Sequence, residues 1–159
     1  MHRQDIINQM IALSKKKYDL LIKLKGLSEK QNEAFGEERL DSVEKILNEK
    51  DVIISNISSI DEEFLKHSGK IKQLLGINSL TELENTNVEG RQELKALIEE
   101  ISNLVEAIID IEKQGQSLAV EMKKSFSKEI KTLNSGKKIT SAYNNKPLNN
   151  PSYFFDKKK

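Results

Sequence analysis

Apolar residues return every three or four positions over nearly the whole chain, a period that fits helices laid against helices and little else. From Ile6, the residues Leu13, Leu20, Leu27 and Ala34 stand seven apart, with Ile7, Met10, Leu21, Leu24 and Phe35 widening the same stripe. This spacing predicts a first helix of about 30 residues, packed on a partner. Gly36 and the cluster Glu37-Glu38-Arg39 interrupt it, and a tight reversal is expected there because glycine tolerates the left-handed backbone that ends helices. A second helix is expected to open with Asp41 and Glu44 as a capping box behind Leu40. Its stripe runs Val43, Ile46, Lys50, Ile53, Ile57, Ile60 and Phe64, broken only by Lys50, and Ser68-Gly69 is read as its end.

Residues 70 to 90 read as short helical turns joined by loops, with Asn78-Ser79 and Glu82 forming a capped turn. A third stripe follows through Leu94, Leu97, Ile101, Leu104, Ile108, Ile111, Gly115, Leu118, Met122, Phe126, Ile130 and Leu133. Starting near Val88, this helix would span about 70 Å against about 42 Å for the second, at roughly 1.5 Å per residue. The fold class expected is therefore all-α: an antiparallel helical hairpin plus a longer third helix, coiled-coil-like, with a short helical connector and a flexible C-terminal tail. Residues 1–135 form the expected bundle and 136–159 the tail.

The length mismatch places Leu118, Met122, Phe126, Ile130 and Leu133 beyond the hairpin, from about Gln116 onward. Burying one such side chain is worth about 1.5 to 3 kcal/mol, so an overhanging ridge of this kind reads as a partner-binding surface. Self-association of the ridge, as a homodimer or coiled-coil scaffold, and a fold-back at Gly115 are the rival readings. Past Gly136 the composition turns to Lys, Asn, Ser and Pro, too polar to fold alone. Tyr143, Tyr153, Phe154 and Phe155 nevertheless lie in it, which suits an arm that orders on a partner or on its own body.

Charge is segregated along the chain: residues 36–112 carry ten more acidic than basic side chains, and residues 113–159 eight more basic than acidic. Solvated helix faces account for most of this. Catalytic groups are not found. With no cysteine, thiol nucleophiles and thiolate metal sites are excluded, and His2 and His67 each stand alone, so no metal and no cofactor are expected. His67 reads as a polar residue at a helix end. Glu62-Glu63 and Glu99-Glu100 point to different sides of a helix and make no acid/base pair. Gly136-Lys137-Lys138 lacks the first glycine and the final Ser or Thr of a phosphate loop. Lys15-Lys16-Lys17 has no interleaved aromatic platform, so nucleic acid is not an expected partner. No apolar run reaches the roughly 20 residues that span a bilayer, and the first residues show no secretory pattern, so a cytoplasmic location is expected.

Several segments carry a family resemblance. Glu33-Ala34-Phe35, Leu40-Asp41-Ser42, Ile46-Leu47 and Lys50 look like the first hairpin of the FlgN-type flagellar export chaperones. Ile111-Glu112 and Gln116-Ser117-Leu118 fall where many members carry Asn-x-x-Asn-x-x-Leu, although the asparagines are missing here. Lys138-Ile139, Ala142-Tyr143 and the ending from Tyr153 to Lys159 are similar to the tails of Gram-positive members. The resemblance implies a non-enzymatic chaperone that binds and masks the helical ends of hook-associated flagellar proteins before type III export. It also implies that a tail tyrosine, Tyr143 or Tyr153, docks the complex on an export-gate component.

Overall fold

The computed structural model describes residues 2–130. It is all-α: α1 spans Arg3–Gly36, α2 spans Leu40–Leu75, a short 3-10 helix spans Leu80–Asn85, and α3 spans Arg91–Ile130. The three stripes expected from the spacing are the three long helices, and no strand occurs among the described residues.

The reversal after α1 is built differently from expectation. Glu38, not Gly36, takes the left-handed backbone, with φ 57°. The amide of Arg39 donates to the carbonyl of Ala34 at 2.9 Å and that of Glu38 to Phe35 at 3.1 Å, so the last carbonyls of α1 are satisfied within the turn. Leu40 is already helical, which puts Asp41 inside the first turn of α2, where a negative charge is favoured by the helix dipole, rather than at the cap.

Helix α2 does not stop at Ser68-Gly69. It continues two turns to Leu75, because Ile71 supplies another fully buried position, and it ends where Gly76 adopts φ 65°. There the amide of Ile77 donates to Lys72 at 3.0 Å, the wrapped pattern of a left-handed helix end. His67 accordingly lies inside α2, not at its end. The connector is capped as the sequence suggests: Ser79 accepts from the amide of Thr81, and the Glu82 carboxylate accepts from the amides of Asn78 and Ser79.

The chain divides into two compact units, each drawing on all three long helices: residues 1–23 with 53–106, and residues 24–52 with those from Ala107 onward. The first unit buries Ile6, Ile7, Met10 and Ile11 of α1 with Ile71 of α2, Leu83 and Val88 of the connector, and Leu94 of α3. It also holds a nearly buried ion pair, Lys17 with Asp61 at 2.5 Å. Lys15 and Lys16 are exposed, so the basic triplet is not one continuous surface. Gly90 precedes α3 at φ +87°, and a Cβ there would meet Ile11 Cδ1 at 2.9 Å and Ile7 Cγ2 at 3.3 Å.

Candidate partner-binding site

The second unit contains the expected binding stripe. Here α2 returns along α1 while α3 runs beside both. Ala34 and Phe35 of α1, Val43 of α2, and Ala119 and Met122 of α3 form one buried cluster, with Leu40, Leu118 and Phe126 packed partly buried against it. Met122 is 1% exposed. The expectation that α3 projects past the hairpin from Gln116 is thus corrected for residues 118 to 126. The first turn of α2 and the last of α1 cover them, and α3 continues unbroken through Gly115. Ile130 is the last described residue of α3, and its side chain, with Leu133, Tyr143 and Tyr153, lies outside the described residues.

Toward the middle of the helices the same seam becomes polar. Lys50, the one break in the α2 stripe, is wholly buried. Its Nζ donates to Glu112 Oε1 at 2.6 Å and to Gln31 Oε1 at 2.8 Å. Ser28 Oγ donates to the same Glu112 oxygen at 2.6 Å, and Gln31 Nε2 to the carbonyl of Val43 at 3.4 Å. One turn along α1, Asn32 Nδ2 donates to the carbonyl of Ile111 at 2.9 Å. Gly115 makes that approach possible, since a Cβ there would sit 2.6 Å from Asn32 Oδ1. Burial pushes the Lys50 ammonium below its ordinary range, while the charge and hydrogen bond of Glu112 pull it back up.

Lys50, Glu112 and their partners form a site that spacing did not identify. The available signal was the lysine standing at a core position of α2. Its carboxylate partner lies 62 residues away, on another helix, with no local mark.

Glu62, Glu63, Glu99 and Glu100 are exposed, as read from the sequence. Among the described residues no group of three or more potential ligands could hold a metal ion. An open depression in the first unit is lined by Glu84, Arg91, Gln92, Lys95, Ala96 and Glu99, and there Lys95 is paired with Glu84. No described helix is long and apolar enough to cross a membrane.

Neither curated proteins nor solved structures supply a match to the chain. The profile of the FlgN protein family does match, over residues 1–150. It covers all three helices and most of the C-terminal segment, and the family is one of chaperones rather than enzymes. By that match the chain belongs to the FlgN family, the family of flagellar export chaperones.

Proposed function

We propose that this chain is a cytoplasmic type III export chaperone that binds and masks the helical ends of hook-associated flagellar proteins before their export. The family match over residues 1–150 carries the reading, because it takes in the end of α3 and most of the tail together. Chemistry supports it: Leu118 and Phe126 flank the buried Met122 on one stripe of α3 that continues in the sequence to Ile130 and Leu133. Leu118 and Phe126 are only partly covered by the described residues. An amphipathic client helix packing there would bury apolar surface that otherwise drives premature assembly, the helix-in-groove mode of recognition. Tyr143 and Tyr153 would then serve contact with an export-gate component.

Co-expression with hook-associated proteins tests this. The full chain should capture them as a stable complex and keep them unassembled, and Phe126→Asp should weaken capture. Because Phe126 also packs against the hairpin, helicity of the variant is measured alongside. A Tyr143→Ala, Tyr153→Ala chain should retain the client while export falls. Failure of the unmodified chain to bind any hook-associated protein would reject the proposal. A stable homodimer in sedimentation, with no client bound, would favour a coiled-coil scaffold instead.

A further inference from the structure

From Ile101 onward the inward stripe of α3 repeats without variation: Ile101, Val105, Ile108, Glu112, Gly115, Ala119, Met122 and Phe126 stand four and three residues apart in alternation. A strict seven-residue repeat decides which face of a helix packs, but not which turn lies opposite which. Sliding α3 by one repeat, about 10 Å, would set each of these positions on another of the same stripe. Glu112 and Gly115 break the apolar run, and each meets a particular residue of the hairpin.

Glu112 supplies the counter-charge of Lys50 at 2.6 Å, and the lysine side chain has no exposure. With α3 slid by one repeat, Val105 or Ala119 would stand there instead, and an ammonium would be left in the core unpaired. Gly115 leaves room for Asn32, whose Nδ2 reaches the carbonyl of Ile111 at 2.9 Å. A Cβ at 115 would already meet Asn32 Oδ1 at 2.6 Å, and the same slide would bring Ile108 or Met122 into that place. Sliding in either direction is therefore refused twice, once by charge and once by size.

Stability is not what the ion pair adds, because lost hydration offsets most of its attraction. A buried polar contact in a helical seam singles out one alignment, at a cost in stability. In the first unit the nearly buried pair, Lys17 with Asp61, joins α1 to α2 and leaves α3 out. We infer that Lys50 with Glu112, and Asn32 with Gly115, form a two-part register key for α3 on the hairpin. These four are thereby positioning residues for the partner-binding stripe, since they fix where along the hairpin Leu118 and Phe126 stand. The positioning role rests on the chaperone reading above; the register key does not.

The test uses the full chain. The sequence has no cysteine, so E49C/K124C, at two exposed positions of α2 and α3 in the second unit, gives a unique pair for spin labels. Pulsed electron-spin measurement should return one narrow distance. Added N32A/K50M/E112L removes both halves of the key, and a second population displaced by up to about 10 Å should appear. N32A alone keeps the charge half and should retain the single distance. Capture of hook-associated proteins should weaken in proportion to the fraction of chains out of register, about twofold where half have slipped. If the triple variant is not helical by circular dichroism, K50M/E112L is measured in its place against the same expectation. A single unshifted distance overturns the inference. A displaced population with undiminished capture overturns the positioning role. Failure of the unmodified chain to capture any hook-associated protein rejects the chaperone reading, and the distances still decide the key.

Discussion

Removing Glu112 from beneath Lys50 should be among the costlier single changes in this chain. The two charges sit 2.6 Å apart, and the lysine side chain has no exposure at all. With an effective dielectric constant of about 20, their attraction is about 6 kcal/mol. Hydration lost by the two ions is several kcal/mol each, so the intact pair contributes little net stability. Taking away one partner forfeits the attraction and leaves the dehydration in place. Glu112→Leu should therefore destabilise the chain by about 3 to 5 kcal/mol. Lys50→Met should cost less, about 1 to 3 kcal/mol, because the Glu112 carboxylate keeps the Ser28 hydroxyl and some access to water. K50M/E112L, which replaces the pair by apolar groups of similar size, should return to within about 1 kcal/mol of the original chain or exceed it. Urea unfolding followed by circular dichroism measures all four proteins, with the midpoint moving and the slope constant. The pH response gives a second check. Lys50 holds its proton less tightly folded than unfolded, so unfolding takes up protons between its lowered folded pKa and 10.5. Stability should rise with pH across that window, be lowest below it, and show no such contribution in K50M. If Glu112→Leu costs under about 1 kcal/mol, or if the double variant is as unstable as the two single changes added together, the reasoning is wrong.

Three further outcomes follow from local geometry. Glu38→Gly should raise the urea midpoint by the equivalent of about 0.5 to 1 kcal/mol, since a left-handed non-glycine residue costs about 1 to 2 kcal/mol and glycine's extra chain entropy returns part of it. Gly90→Ala should lower stability by at least about 2 kcal/mol in thermal unfolding, combining backbone strain with a methyl forced against Ile11 and Ile7. Asp61→Asn should cost about 2 kcal/mol, because Lys17, with a side chain 10% exposed, would lose its counter-charge; a change below about 0.5 kcal/mol in denaturant unfolding would place that pair in the class of weak surface bridges.

The three long helices were legible because apolar spacing is a local property, and so was the Ser79–Glu82 cap, whose partners lie three residues apart. Helix ends were harder. Gly69 lies in open space inside α2 and costs only about 1 kcal/mol relative to alanine, which the burial of Ile71 outweighs. That misread boundary fed directly into the candidate site. A second helix of 36 residues rather than about 28 changes the comparison of lengths on which an early overhang depended. Lys50 was visible as an anomaly in its stripe, but the meaning of the anomaly required α1 and α3 to be placed beside it. Gly115 shows the same limit: in the sequence it is a weak point in a helix, and in the structure it is the opening through which Asn32 reaches the backbone of α3.

The crowding at Gly90 ties the start of α3 to the opening turns of α1. Ile7 and Ile11 form the floor on which the connector rests, and Gln4 adds a hydrogen bond to the carbonyl of Glu89 at 3.1 Å. Clipping the first dozen residues would therefore unfasten a segment more than seventy positions downstream.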